Sequence, residues 1–316
     1  MKDNPCIRIG HLKIVDHLIL GIADLQLKNN EINLCHSTLE TLAMNSWEQV
    51  CDGLKEGDIN GAFITAPLAM DLFAKGLDIR LLMFTHRSGS VIVKNKAAGI
   101  NNIADFKGKT VLVPSELSIQ NMLLHRLLST VGLKLGSHDD INADVAREVV
   151  NPFLMAEMLI NDQDNDIAGF AVAEPFGNEA VHKKIAAKLC TSESLWKDHP
   201  CCVFVLNKSF MENYPEAAKE IIALFVETGQ KIEEAKDDEI LLMAQDFLAQ
   251  KKEVTRQVLL ETDINFNPSL LIPDIDALNI IQNYMTDVMG ALKNKIDMNH
   301  FVDSSFILSI IAENKQ

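Results

Sequence analysis

Apolar positions along this chain alternate, then fall into helical spacing, then alternate again. Ile7-Arg8-Ile9 alternates, and residues 7–14 read as a strand entering a polar loop. Leu18, Leu20, Ile22 and Leu25 follow at helical spacing, with Asp16 placed to cap that helix. Residues 32–34 read as a second strand. Residues 38–54 read as an amphipathic helix through Leu39, Leu42, Val50 and Leu54. Residues 61–65 form an all-apolar strand candidate after the Gly57-Asp58-Ile59-Asn60 turn, and Pro67 suits the first turn of the next helix. Residues 79–84 make another short apolar strand. Strands and helices alternating at this pitch predict an α/β protein with parallel sheets.

The pattern restarts after Val91-Ile92-Val93. Strands are predicted at 111–113, 145–150 and 167–172, and helices at 119–131 and 152–160. Residues 202–206 are apolar again and read as a return crossing to the first group of elements. From Tyr214 the chain reads as helices over 215–235, 237–249, 252–262 and 274–289, and a C-terminal element beginning at Ile296 packs back. The expected organisation is therefore two lobes joined by two crossing strands, with lobe one at 1–93 plus 206–316 and lobe two at 94–205.

Composition narrows the function. The 316 residues are 47% hydrophobic and 23% charged, which is globular. A net charge of −15 argues against a nucleic-acid partner, whose phosphates require a basic face. No stretch of about 18 apolar residues is present, so no membrane span is expected. The start, Met1-Lys2-Asp3-Asn4-Pro5-Cys6, lacks an apolar leader. As written the chain is expected in the cytoplasm; with a leader restored it is periplasmic or lipid-anchored. Six cysteines with no C-x-x-C pair read as free, mostly buried thiols. The nine histidines show no H-E-x-x-H and no i, i+4 pair, so neither metal nor cofactor is expected.

Candidate binding groups fall where strands end. Ser115, Ser118 and Gln120 open a helix, whose free N–H groups and dipole favour an anion; the competing reading is plain N-capping. In Arg87-Ser88-Gly89-Ser90, glycine permits close backbone approach, and Arg87, Ser88 and Ser90 bring a cation and hydroxyls. His17 and His86 stand in loops after first-lobe strands, and Pro67, in the first turn of the helix after another, is a further candidate contact. Glu174, before Pro175, suits either a ligand amine or metal, or a structural acceptor in the loop. Trp196 suits packing. No nucleophile with a base and an orienting group is recognisable, and no catalytic residue is expected.

Four strings carry a family resemblance. Asp105-Phe106-Lys107-Gly108-Lys109-Thr110-Val111-Leu112-Val113-Pro114 resembles the entry to the second lobe in solute-binding proteins of nitrate, sulfonate and taurine ABC importers. Ala173-Glu174-Pro175-Phe176-Gly177-Asn178 and Leu195-Trp196-Lys197-Asp198-His199-Pro200 resemble its nitrate/bicarbonate branch. The tail from Asp297 to Phe306, with Phe301-Val302-Asp303-Ser304-Ser305-Phe306 at its end, resembles the family's D-x-x-x-F-V-D-x-S-F ending. Arg87-Ser88-Gly89-Ser90 and Glu116 to Gln120 depart from the nitrate-type pattern, and Phe176 stands where an indole is common.

The resemblance implies a periplasmic-binding-protein-like fold of type II and a small anion or anionic organic solute held between lobes that close by a hinge. It implies Lys197 as a cationic contact and an ABC permease as partner. A cytosolic sensor signalling to a regulatory protein is the alternative. Cys201-Cys202-Val203-Phe204-Val205 resembles the Cys-Cys-Cys-Phe-Cys run of yeast-type thiamine-pyrimidine synthases, but valine replaces two of its cysteines, and a buried return strand is the preferred reading.

Overall fold

The computed structural model describes residues 4–235 and 238–314. The chain opens with β1 (Cys6–His11) and α1 (Leu18–Lys28), then β2 (Thr38–Ala43) and α2 (Trp47–Glu56). Ser46 caps α2 by accepting from the Gln49 N–H, and Gly57 ends it at φ 79°. β3 (Gly61–Thr65) runs into α3 (Ala66–Ala74), where Thr65 accepts from the Leu68 N–H and Pro67 occupies the first turn. β4 (Ile79–Phe84) completes this stretch.

The next stretch holds β5 (Ser90–Asn95), β6 (Thr110–Val113), α4 (Ile119–Ser129), β7 (Leu135–Gly136), β8 (Val145–Val149), α5 (Pro152–Asn161), β9 (Ile167–Ala173), α6 (Phe176–His182), β10 (Ala186–Thr191) and α7 (Ser192–Leu195). β11 (Cys202–Asn207) is followed among the described residues by helices: α8 (Lys208–Asn213), α9 (Pro215–Ala235), α10 (Asp238–Leu248), α11 (Lys252–Glu261), α12 (Ile275–Asp287), α13 (Met298–Phe301) and α14 (Ser305–Glu313). No helix among the described residues is long and apolar enough to cross a membrane.

Contacts divide the chain into two units. The first holds residues 1–87, 200–249 and 265–316, and the second holds 88–199 and 250–264. The chain thus passes between units at 87/88, 199/200, 249/250 and 264/265, against the two crossings at 93/94 and 205/206 expected from the sequence. The added segment, 250–264, bears on the second unit through α11 and α6, and Gln250 Nε2 donates to Glu179 Oε2 at 3.4 Å. Gly89 (φ 87°) sits against the same segment: a Cβ there would lie 2.8 Å from Ile264 Cδ1.

Each unit is built on one sheet. The first has the order β2-β1-β3-β11-β4, with β1 parallel to β2 and β3, and with β11 antiparallel to β3 and β4. Its core includes Ile7, Ile9, Phe63, Phe84, Phe204 and Phe225. Phe63, Phe204 and Phe225 meet with centroids 5.2–5.6 Å apart, within the range of favourable aromatic pairing. The second has the order β10-β5-β9-β6-β8-β7. β6, β8 and β7 run parallel with β9, while β5 is antiparallel to both its neighbours. A cluster around Phe106, Val111, Val113, Leu124 and Val145 fills it. Both sheets are α/β as expected, and both are mixed, because the strands that return the chain run against the parallel set.

Three expectations are corrected by the structure. Residues 38–43 are a strand: all six pair in register with β1, from Cys6 with Thr38 to His11 with Ala43. The backbone ladder outweighed the helical spacing, and the helix begins at Trp47. Residues 32–34 form no strand. Asp16 does not cap α1, whose N-cap is His17 with no side-chain hydrogen bond; the carboxylate is turned into the interior instead.

Candidate functional site

Polar groups gather at one edge of each sheet, the edge where the parallel strands end. In α/β sheets this edge carries binding sites, because strand ends leave backbone groups and loops free to converge.

In the first unit the edge is formed by the ends of β1, β3 and β4 and the start of β11. The loop after β1 delivers Asp16 and His17, the residues after β4 deliver His86 and Arg87, and Cys201-Cys202 open β11. Asp16, His86, Cys201 and Cys202 are all fully buried. One ligand-capable atom from each lies within 4.8 Å of all the others. His86 Nε2 stands 3.1 Å from Asp16 Oδ2, and the Cys202 thiol donates to the same oxygen at 3.5 Å. The Cys201 carbonyl accepts from the Ala66 N–H and the Cys202 carbonyl from the Thr85 N–H, so two neighbouring strands fix both cysteines.

Charge in this cluster is set by burial against pairing. Burial pushes the Asp16 carboxyl up, but the His86 charge and hydrogen bond outweigh it and hold it below its ordinary value. Burial pushes His86 down, and the Asp16 carboxylate more than reverses this, raising the imidazole to about 10. The hydrogen bond with Cys202 lowers the Cys201 thiol against the effect of burial, while burial pushes Cys202 well up.

The other residues expected on this edge are interior. His17 is fully buried, its ring edge-on to Trp47 and Phe63, with Nδ1 3.1 Å from the Leu12 N–H and 2.9 Å from the Leu12 carbonyl. Burial first, then the nearby His11, lower its pKa to about 3, against the opposite pull of Asp16. Arg87 donates from Nε to the Leu270 carbonyl at 2.7 Å and lies 4.5 Å from the Phe84 ring centroid. Pro67 is buried in the first turn of α3.

In the second unit the corresponding edge is a set of hydrogen-bonded hydroxyls, an amide and carboxylates. Gln120 Nε2 donates to Ser90 Oγ at 2.9 Å, and the Ser90 N–H donates to Ser192 Oγ at 3.1 Å. Ser88 Oγ donates to Glu193 Oε2, which also accepts the Asp198 N–H at 2.8 Å. Three segments read separately in the sequence are thereby tied together: 88–90, 118–120 and 192–198. Ser118 caps α4, accepting from the Asn121 N–H at 3.1 Å and donating to the Ser115 carbonyl at 2.8 Å. Ser115 Oγ accepts the Leu117 N–H. Glu174 is buried, joined to Pro175 by a cis peptide bond, and accepts the Asn178 N–H through Oε2 at 2.8 Å. Lys197 is exposed on the turn before Asp198 (φ 48°), and Trp196 packs beside His199 with centroids 6.0 Å apart.

Sequence reasoning missed Asp16 as a buried carboxylate, the pair Cys201 and Cys202 as polar groups, and Ser192 and Glu193. Two adjacent cysteines preceding a buried strand were the available signal.

Two α/β units, each presenting polar groups where its parallel strands end, define a protein of the periplasmic-binding-protein fold, type II. The chain belongs to the NMT1-like family, whose model matches residues 2–255. It is 26% identical over 216 residues to the nitrate import ATP-binding protein NrtC of Synechocystis, a match covering 65% of this chain and 31% of NrtC. The chain thus spans about a third of the length of that relative. Among solved structures it is similar to a ligand-binding component of an ABC-type import system from Staphylococcus aureus with zinc bound, with a TM-score of 0.84 and 22% identity over 97% of this chain and 99% of that one. It is also similar to the periplasmic nitrate-binding protein NrtA from Synechocystis PCC 6803, with a TM-score of 0.82 and 16% identity over 98% of this chain and 89% of that one.

Proposed function

We propose that this chain is a solute-binding component of an ABC importer that takes a small anion or an anionic organic solute, and that it binds without turnover. Membership of the NMT1-like family and the likeness to the nitrate-binding protein NrtA support this reading. The observation that carries it is the second unit's edge. There Ser90 bonds to Gln120 of the capped helix α4 and to Ser192, and Ser88 bonds to Glu193, so residues 88–90 are tied both to the start of α4 and to the 192–198 loop that bears Lys197. Helix N–H groups, neutral hydroxyls and a lysine suit a small anion better than a cation. Ligand contacts made in a closed state draw the population toward it, so closing on the solute is the expected mechanism.

The test is affinity. A thermal-shift screen of nitrate, bicarbonate, taurine and aliphatic sulfonates identifies the ligand, since a solute bound only by the folded state raises the melting temperature. Lys197→Ala is then expected to weaken that anion by about 1.5–3 kcal/mol in titration calorimetry, the range for a charge-assisted hydrogen bond. An unchanged dissociation constant removes Lys197 from the site.

A further inference from the structure

The cluster of Asp16, His86, Cys201 and Cys202 is used by none of the anion-binding groups above. It is drawn from three distant segments: the loop after β1, the residues after β4 and the start of β11. All four side chains are fully buried, and their ligand-capable atoms fall within 4.8 Å of one another. Adjacent residues of a regular strand point to opposite faces. Cys201 and Cys202 nevertheless bring both sulfurs to one point, because Cys201 stands just outside β11 with its carbonyl held by Ala66. Asp16 Oδ1 and His86 Nδ1 are buried with no hydrogen-bond partner, so the cluster is not satisfied as an ordinary polar core.

We propose that Asp16, His86, Cys201 and Cys202 form a tetrahedral site for a thiophilic divalent cation of the zinc class. Two sulfurs, one imidazole nitrogen and one carboxylate oxygen are a zinc-type donor set, whereas magnesium and calcium require oxygen shells. The spacing agrees. Tetrahedral angles with zinc bonds of about 2.0–2.1 Å to nitrogen and oxygen place those two atoms about 3.3 Å apart, and a zinc–sulfur bond of about 2.3 Å places sulfur about 3.5 Å from oxygen. The observed separations are 3.1 Å for His86 Nε2 to Asp16 Oδ2 and 3.5 Å for Cys202 Sγ to Asp16 Oδ2. Binding deprotonates the thiols and frees His86 Nε2 of its proton, and these protons pass to solvent with no change of oxidation state. The site joins β1, β4 and β11, so an ion there fastens the middle of the first sheet to both its flanking loops. It stands independently of the anion reading, which rests on the second unit.

Cobalt(II) is the probe. Reduced, chelator-stripped full-length protein receives cobalt(II) both in the native state and during refolding, because the cluster has no exposed edge. The expected result is a thiolate-to-cobalt charge-transfer band with intense tetrahedral d–d bands, saturating at one equivalent and bleached by zinc. Cys201→Ser combined with Cys202→Ser is expected to lose the charge-transfer band. Cys35→Ser, which alters an exposed thiol, is expected to keep it. Absence of the band from the unaltered protein under both conditions overturns the proposal, and that measurement does not depend on any variant folding. Persistence of the band in the double variant overturns it equally.

Discussion

The two sheet edges hold their polar groups by opposite means. In the first unit, ionisable side chains from distant segments are packed out of contact with water and neutralise one another, with Asp16 against His86. In the second, hydroxyls, an amide and the Glu193 carboxylate, from segments 88–90, 118–120 and 192–198, share hydrogen bonds, and Lys197 stays exposed. Buried charge is stable only when paired, so the first edge is rigid and intolerant of change. Hydroxyls and amides can exchange partners with water or a ligand at little cost, so the second edge suits reversible binding.

The largest effect expected from this contrast is on stability. Asp16→Ala leaves a buried imidazole without its counter-charge and is expected to destabilise the chelator-treated protein by about 3–5 kcal/mol, the usual penalty for breaking a buried pair from one side. The matched change in the second unit, Glu179→Ala, breaks a half-exposed pair with Lys183 and is expected to cause a loss under about 1 kcal/mol. Urea denaturation at neutral pH compares them. Equal losses would end the contrast. The pair also sets a pH window. His86, raised to about 10, stabilises fully below its unfolded value and loses that contribution as pH rises through about 10. Asp16, lowered, contributes above its unfolded value and loses it as pH falls through the folded one.

The same contrast governs what could be read in advance. The α/β class and most strands and helices were legible because each is local: Thr65-Ala66-Pro67 reads as a helix start without any distant partner. Ser88, Ser90, Ser118 and Gln120 of the second unit stand at strand and helix ends that the local pattern marks, and hydrogen bonds tie their segments to one another and to Ser192 and Glu193. The first unit's cluster was not legible. Asp16 and His86 are 70 residues apart, and only the pairing of β3 and β4 with β11 brings Cys201 and Cys202 between them. A local reading assigned Asp16 to a cap because aspartate usually serves as one. Residues 38–43 failed similarly: an edge strand and an amphipathic helix share spacing over six residues, and only the register with β1 separates them.

A smaller effect sharpens the comparison in acid. His17 has its pKa lowered to about 3 and is neutral in the folded protein. A histidine near its ordinary value in the unfolded chain takes up a proton that the folded state refuses, so stability present above about pH 6.5 is lost as pH falls. The loss is about 2 kcal/mol at pH 5 relative to neutral pH. His17→Asn, which keeps an acceptor near the Leu12 N–H, is expected to flatten this slope while lowering stability at neutral pH through lost packing on Trp47 and Phe63. Hydrogen exchange at pH 5 is expected to show β1 and β4 losing protection before β6 and β9. Loss in the reverse order would place the acid-sensitive group in the second unit.

The smallest effect falls on the second edge and separates capping from binding there. Ser118 spends its hydroxyl locally, donating to Ser115 and accepting from Asn121. Ser118→Ala removes the cap of α4 and is expected to lower stability by about 1 kcal/mol. Ser118→Asp replaces one capping acceptor with another and adds a charge that the helix dipole favours, so stability is expected to recover. That same charge sits at the helix terminus proposed for the anion and is expected to repel it. Stability regained with anion affinity lost, read by urea denaturation and calorimetry on one variant, is the expected outcome. Affinity retained in Ser118→Asp would move the anion away from α4 and leave Ser118 a cap alone.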